Sequence, residues 1–223
     1  MKTSLVSLAR LALGLCCLPI AALAANALTP DLKKLSEGVG GKPADKVQLT
    51  WKSDVRGKPA LFASGIVWLD GVDFREGTIE CDILGQSTPR GSNFPGILFH
   101  AVDAANYDCV YFRPFNFRAE NPENSAHAVQ YVAPPQWPWQ KLRAERTKQY
   151  EKPIVPPPDG DAWFRARIVI EGRTISVFVN DAAKPSLVVE KLNDRTSGRF
   201  AITGGDAGVG GHFANLKITP KKP

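Results

Sequence analysis

The feature that most constrains the fold is a series of about eleven short β-rich runs, separated by Gly, Pro, Asn and Asp residues. No segment with the 3.6-residue period of an amphipathic helix lies between them. Parallel sheets need such crossover helices, so the pattern predicts an all-β fold, an antiparallel sandwich or barrel. The predicted strands are Val47–Lys52, Leu61–Leu69, Gly77–Leu84, Gly96–Val102, Tyr107–Arg113, Ala126–Val132, Ala162–Glu171, Thr174–Asn180, Leu187–Leu192, Gly198–Thr203 and His212–Ile218.

The first 24 residues have the pattern of a secretory signal peptide. Lys2 and Arg10 precede an apolar run of 14 residues that ends at Ala24. We predict cleavage after Ala24 and a secreted or periplasmic protein. The run is shorter than the roughly 20 residues of a membrane-spanning helix, so no stable membrane span is expected. A retained anchor, or lipidation at Cys16 or Cys17, stays open.

The remaining chain divides into a short leading segment and one β-sandwich domain. We predict that residues 25–45 form a helix over Pro30–Glu37 and a linker, because Thr29 can cap the helix and Gly38 can end it. Residues 46–220 form the sandwich. An insert at 133–161 carries seven of the prolines and two of the five tryptophans, and long ordered inserts are usually functional.

Charge and cysteine content exclude some partners and leave other questions open. The 28 basic and 22 acidic residues are interspersed, which predicts no nucleic-acid partner. The densest basic stretch, Lys141–Lys152, is interpreted as a solvated loop or short helix. Beyond the leader, Cys81 and Cys109 lie in different predicted strands, and both the bridged and the free state stay open. No metal-binding motif is present.

Two carboxylates share one face of a predicted strand. Side chains alternate along a strand, so Glu80 and Asp82 point one way and Cys81 points to the core. Paired carboxylates are the groups that glycosidases use, one of them as acid or base. Glu80 and Asp82 are therefore the candidate catalytic residues.

A second set of polar and aromatic residues suits the recognition of a sugar. The set is expected to share a sheet face with the two carboxylates, where donors and acceptors meet hydroxyl groups and aromatic rings stack on sugar rings. The alternatives are a plain solvated face with Arg113 in a structural salt bridge, and tryptophans that only pin the insert. The candidate substrate-binding residues are Tyr111, Arg113, Asn116, His127, Gln130, Trp137 and Trp139.

Six short motifs follow one another along the chain: GTIECDI, GILFH, YDCVYFRPFNF, HAVQYV, YEKPIVPPPDGDAWFRARIVIEG and GGHFANLKI. Their order resembles the concanavalin A-like lectin/glucanase superfamily. Within it, the chain is most similar to secreted proteins with a 3-keto-disaccharide hydrolase-like domain, and its last strand is similar to that of laminin G-like domains. The resemblance implies a jelly-roll sandwich with a glycan on the concave sheet and no cofactor, although some relatives hold a structural Ca²⁺. Asp206 would be a candidate ligand for such an ion, or only a turn former.

One position departs from that family. Laminarinase-type relatives carry Glu-x-Asp-x-x-Glu, and the third place here is Gly85. A hydrolase would need another carboxylate, such as Asp73, Asp103 or Asp108, or a mechanism with one base. We expect a hydrolase acting on glycosidic bonds; a glycan-binding module, or a purely structural or partner-binding sandwich, is the alternative. The sequence does not indicate an oligomeric state.

Overall fold

Two antiparallel sheets of seven strands each make up the β-sandwich. The computed structural model describes residues 26–44, 47–205 and 208–222, so the predicted signal peptide and Asp206 lie outside the described residues. The fold class, an all-β antiparallel jelly-roll sandwich, is confirmed. The strands are β1 (Gly41–Pro43), β2 (Leu49–Val55), β3 (Lys58–Ala63), β4 (Ile66–Phe74), β5 (Gly77–Leu84), β6 (Gly96–Ala101), β7 (Asp108–Phe112), β8 (Val129–Val132), β9 (Glu151–Lys152), β10 (Phe164–Glu171), β11 (Thr174–Val179), β12 (Leu187–Glu190), β13 (Gly198–Thr203) and β14 (Gly211–Pro220).

Strands that follow each other along the chain often belong to different sheets. Sheet A has the order β12-β11-β10-β5-β14-β3-β2, and sheet B has the order β1-β4-β13-β6-β7-β8-β9. The chain thus crosses from sheet B to sheet A between β4 and β5, and back between β5 and β6. This topology decides which outer face each functional candidate occupies.

The main core fills the space between the two sheets. Phe112 of sheet B and Phe164 of sheet A are almost fully buried, and their ring centroids lie 5.0 Å apart in an edge-on contact. Phe213 on β14 is also fully buried. Burial of side chains of this size contributes about 1.5–3 kcal/mol each, so the core fixes which face of each strand points inward.

Most predicted strands are confirmed, and one is wrong. The predicted strand Leu61–Leu69 is two strands, β3 in sheet A and β4 in sheet B. The chain turns between them at Gly65, whose φ of 72° is in the left-handed region that glycine adopts readily. Gly41–Pro43, predicted as linker, pairs with β4 as an edge strand.

The helices are short. Helix α1 (Leu32–Ser36) lies within the predicted range, and the side chain of Asp31, rather than Thr29, caps it. Helix α2 (Pro122–Ser125) was not expected, whereas α3 (Trp139–Glu145) overlaps the basic stretch Lys141–Lys152, for which a loop or a short helix was expected. None of the described residues forms a helix that is long and apolar enough to cross a membrane.

The two cysteines of the sandwich are free thiols. Cys81 faces the core between the sheets, whereas Cys109 belongs to a second apolar cluster on the outer side of sheet B. Both are buried. Because they lie on different layers, the bridged alternative is not the one the structure adopts.

Candidate functional site

The outer face of sheet B, which points away from sheet A, carries an apolar cluster of its own. Trp68, Leu98, Cys109 and Ala201 on it are at most 5% exposed. Outer faces of antiparallel sheets are commonly polar and solvated. Here Leu142 of α3 joins the cluster, and the partly buried Trp137 packs against it. The 133–161 insert therefore folds over this face.

A polar cluster adjoins the apolar one. Tyr111 on β7, Gln130 on β8 and Glu151 on β9 are direct cross-strand neighbours and share the outer face. Tyr111 Oη donates to Gln130 Oε1 over 2.7 Å, and Arg113 Nη2 donates to both of these oxygens at 2.5 Å. Arg113 Nη1 also donates to the main-chain oxygen of His127 at 2.9 Å. Four of the seven predicted substrate-binding residues are thus brought together.

The carboxylate of Glu151 lies between the basic side chains of this cluster, and the sequence analysis did not predict Glu151 as a site residue. Its carboxylate is 2% exposed and accepts from Arg143 Nε and Nη2 at 3.2 and 3.1 Å. Arg113 Nη1 lies 3.5 Å from Glu151 Oε2, and His127 Nδ1 lies 2.8 Å from the same oxygen. The only hint was an acid inside a basic stretch, which we interpreted as solvated. In the structure that stretch contains most of α3 and all of β9, and β9 lies at the edge of sheet B.

Burial sets the protonation states around Glu151. Burial lowers the pKa of His127, although Glu151 opposes the shift. The pKa of Arg113 is also lowered by burial, and that of Tyr111 is raised by it. His127 is therefore mainly neutral at pH 7, and Tyr111 keeps its proton as a hydrogen-bond donor.

The side-chain amide of Gln130 is a buried donor of the cluster that has no partner among the described residues. Gln130 is fully buried, and its Nε2 forms no hydrogen bond with the described part of the chain. An unpaired buried amide costs about 1–3 kcal/mol. Because Gln130 is fully buried, a ligand on the surface of sheet B does not reach this amide, and the cost belongs to the folded protein itself.

Two tryptophans of the insert have different surroundings. Trp139 at the start of α3 is 42% exposed, and the guanidinium carbon of Arg143 lies 4.9 Å from its ring centroid. Trp137 is half-buried against the core clusters, with Lys141 Nζ 4.4 Å from its ring. Trp137 therefore pins the insert, whereas the side chain of Trp139 stays partly exposed to solvent.

Asn116 lies near the cluster in sequence but is not hydrogen-bonded to it. It belongs to a short 3₁₀ turn, Pro114–Asn116, and is buried. Within the described ranges, no hydrogen bond joins its side chain to Tyr111, Arg113 or Gln130. The structure gives it a place beside the site and no polar contact within it.

The expectation that Glu80 and Asp82 share this face is wrong. Both lie on the outer face of sheet A, because β5 pairs with β10 and β14, whereas β7 and β8 pair within sheet B. Glu80 Oε1 accepts from Arg165 Nη2 at 2.9 Å, and Glu80 Oε2 lies 3.5 Å from Lys217 Nζ. The core of the sandwich separates the two carboxylates from the sugar-binding candidates.

Asp82 is held by cross-strand partners too. Its Oδ2 accepts from Lys58 Nζ at 2.6 Å and from Asn215 Nδ2 at 2.7 Å, and its Oδ1 lies 3.8 Å from Arg165 Nη1. Burial would raise the pKa of Glu80, but the hydrogen bond and charge of Arg165 outweigh it, so the pKa is lowered. An ionised, ion-paired Glu80 is a poor general acid at neutral pH.

No second carboxylate completes the pair among the candidates. Asp73 on β4 and Asp108 on β7 belong to sheet B, and Asp103 lies in the loop between β6 and β7, two strands of that sheet. At Gly85, a Cβ would collide with the side chains of Asn93 and Pro114. The third place of the glucanase motif is thus closed to any carboxylate.

Among residues 26–44, 47–205 and 208–222, no group of three or more His, Cys, Asp or Glu side chains is placed to hold a metal ion. Asp206, the calcium candidate, lies outside these ranges. A structural Ca²⁺ at Asp206 stays a prediction.

Comparison with known proteins agrees with this architecture. The chain matches no protein-family model. It is similar to the carbohydrate-binding module CBM66 from Bacillus subtilis, with 16% identity and a TM-score of 0.51, over 78% of this chain and 96% of that one. It is also similar to domain 4 of AbnA, an extracellular arabinanase of family GH43 from Geobacillus stearothermophilus (12% identity, TM-score 0.49, 78% and 75% covered), and to a Bacillus subtilis protein of unknown function with a galectin-like fold (10%, 0.49, 78% and 87%). The likeness to CBM66 shows the fold, and the resemblance to concanavalin A-like jelly rolls is confirmed at that level.

Proposed function

We propose that the protein binds a carbohydrate on the outer face of sheet B, where α3 meets the polar cluster. The observation that carries the proposal is the exposed ring of Trp139, which is stacked by Arg143, itself hydrogen-bonded to the buried Glu151. An aromatic face of this kind can stack against the apolar face of a sugar ring. The fold shared with a carbohydrate-binding module supports this assignment.

The polar groups next to Trp139 supply hydrogen bonds that suit sugar hydroxyls. The side chain of Arg143 is 33% exposed and carries donors beyond those used on Glu151. Gln130 is fully buried behind these donors, and its Oε1 holds Tyr111 and Arg113 in place. Glu151 and Arg113 hold each other and the strands in place, so these donors are fixed before a ligand arrives, which lowers the entropic cost of binding.

Binding without turnover fits the geometry better than hydrolysis does. Hydrolysis of a glycosidic bond is the second candidate, favoured by the placement of Glu80 and Asp82 on one face of β5. Against it, both carboxylates are engaged by cations and lie on the opposite face of the sandwich. The predicted leader of residues 1–24 would place either activity in the periplasm or outside the cell.

Carbohydrate binding is tested by comparing variants of two aromatic residues, one on the outer face of each sheet. Trp139 stacks with Arg143 on sheet B, and Phe178 stacks with Arg167 on sheet A at 3.6 Å. Isothermal titration against a panel of oligosaccharides should show affinity lowered about tenfold or more in Trp139→Ala, equivalent to about 1.4 kcal/mol. Phe178→Ala should bind like the wild-type protein. Unchanged affinity in the double variant Arg113→Ala, Trp139→Ala would contradict the proposal.

Hydrolysis is tested by product analysis on glycans and 3-keto-disaccharides. We expect binding without products. Products that disappear in the Glu80→Gln or Asp82→Asn variant would establish a hydrolase with its site on sheet A. In that case Trp139→Ala should leave turnover unchanged, and the binding proposal would be replaced.

A further inference from the structure

A cavity lies at the other end of the sandwich from Arg113 and Gln130. Its volume is about 310 Å³, near the lower limit of ligand pockets. Three chain segments meet there: the β4–β5 turn, the β10–β11 hairpin turn and the segment that follows β12. The lining residues are Arg75, Glu76, Gly172, Arg173, Lys191, Asp194 and Thr196.

Cations outnumber free carboxylates in this lining. Glu76 Oε2 lies 3.3 Å from Lys221 Nζ, and Asp194 Oδ1 lies 2.7 Å from Arg173 Nη1. In the described ranges of the chain, Arg75 and Lys191 have no carboxylate within 4.0 Å. The cavity therefore has two cations without a carboxylate partner.

Lys191 is the unusual member of the pair because it is only 4% exposed. Its Nζ donates to the main-chain oxygen of Arg195, and its backbone N–H donates to the oxygen of Arg173. Arg173 Nη2 in turn donates to the main-chain oxygen of Lys191 at 2.8 Å. The residue is thus fixed on three sides, and its ammonium group keeps donors that one carbonyl cannot satisfy.

A buried ammonium group without a carboxylate is costly. Charges taken out of water are usually paired or neutralised. The buried Asp108 attracts Lys191 from beyond contact distance, but Asp108 is already bound to His100, Tyr131, Asn193 and Arg195. The cost falls if an anion enters the cavity beside Arg75.

We propose that this cavity binds an oxyanion: a phosphate, sulfate or carboxylate group, either free or carried on a sugar. Arg75 is exposed at the surface and admits the ligand, whereas Lys191 provides fixed charge in the protein interior. The site is separate from the face proposed for carbohydrate binding, so it does not depend on that proposal. It would give the protein a second, charge-selective subsite.

The test titrates the full protein with inorganic phosphate, sulfate and glucuronate at constant ionic strength, with chloride as the balancing anion. We expect saturable binding of at least one of them by calorimetry, with a matching rise in Tm. Saturable binding of phosphate or sulfate would show that a free inorganic oxyanion is enough to occupy the cavity. Saturation by glucuronate alone identifies a sugar carboxylate.

Variants of the lining decide whether the cavity is the site. Arg75→Ala should weaken binding about tenfold and Lys191→Met should abolish it, whereas Lys33→Ala removes an exposed cation on α1 and should have no effect. Arg75 is exposed, so its variant remains informative if Lys191→Met does not fold. The proposal is overturned if no anion saturates, or if Arg75→Ala binds like Lys33→Ala. Unchanged glycan affinity in Arg75→Ala would keep the two sites distinct.

Discussion

Arg165 on β10 donates from Nη2 to Glu80 Oε1 on β5 over 2.9 Å, across two neighbouring strands of sheet A. The bond occupies the carboxylate that a glucanase-like mechanism would need free. It also makes Glu80 part of a charged ladder with Lys217 on β14. The two carboxylates that suggested catalysis thus have a structural explanation, as partners of cations on the outer face of sheet A.

Replacing Glu80 should therefore affect stability slightly and glycan binding not at all. The pair is partly exposed, so Glu80→Gln should lower the free energy of unfolding by about 0.2–1 kcal/mol. Urea unfolding measures the loss. Glu190→Gln is the matched control, because Glu190 is an exposed acid of sheet A that forms no ion pair with the described residues. Equal glycan affinity in both variants is expected, and a loss in Glu80→Gln alone would place the ligand on sheet A.

Removal of the hydroxyl group of Tyr111 should lower the free energy of unfolding by more than the Glu80→Gln change does. It donates to Gln130 and accepts from Arg113 inside a buried cluster. Tyr111→Phe leaves the guanidinium group with one acceptor fewer, which should cost about 1–2 kcal/mol. Thermal unfolding measures this cost.

Tyr107→Phe is the control for that variant. The hydroxyl group of Tyr107 forms no hydrogen bond within the described ranges, although its ring packs against the same apolar cluster. The two variants should differ by about 1 kcal/mol. Equal losses would mean that the bonds of Tyr111 contribute no net stability.

A side chain at Gly85 should destabilise the fold. Asn93 is fully buried and donates to the oxygen of Gly210, while its Oδ1 accepts from the N–H of Gln86 at 2.8 Å. It cannot move aside for a Cβ, so Gly85→Ala should cost about 1–3 kcal/mol. Denaturant unfolding checks this. Gly85→Glu should be worse and should give no hydrolysis; a stable, active Gly85→Glu variant would refute both statements.

His212 should make stability depend on pH. Burial, together with the charges of Lys52 and Arg56, lowers its pKa from 6.5 to about 4. Between these pH values the unfolded chain takes up a proton that the folded protein does not, so stability falls as pH decreases from 6.5 to 4. A shift of this size corresponds to about 3 kcal/mol, and solvent screening of a half-buried ring reduces that to about 1–2 kcal/mol.

His212→Phe tests this dependence while keeping an aromatic ring beside Phe62, whose centroid lies 5.2 Å away. The free energy of unfolding is compared at pH 7 and pH 4 for both proteins. The variant should lose about 1–2 kcal/mol less than the wild-type protein. Parallel losses in the two proteins would assign the acid sensitivity to carboxylates.

The local pattern of residues predicted where most strands lie, but it did not predict how the strands assemble into two sheets. The alternation of side chains along a strand correctly predicted that Cys81 points inward and Glu80 outward on β5, because this alternation depends only on neighbouring residues. It also put Tyr111 and Arg113 on one face. It could not show that β5 and β7 belong to different sheets, since that depends on which distant strands they pair with.

The insert was the other region where prediction from sequence reached its limit. Trp137 and Trp139 were expected to act alike, but α3 exposes one and buries much of the other. Glu151 was hidden in a basic stretch because its burial depends on pairing with Gln130 across sheet B. Neither result follows from spacing, because both arise from a short helix and a two-residue strand that tertiary contacts hold in place.

The margins of sheet B have a consequence for self-association. One margin is β1, three residues that end in Pro43, and the other is β9, two residues long. Strands this short offer few free N–H and C=O groups for another chain to extend the sheet. On sheet A, the seven-residue β2 is the longer margin, and it contains a bulge next to Lys52. Extension of the proposed carbohydrate-binding sheet by a strand of another chain is therefore disfavoured at both of its edges.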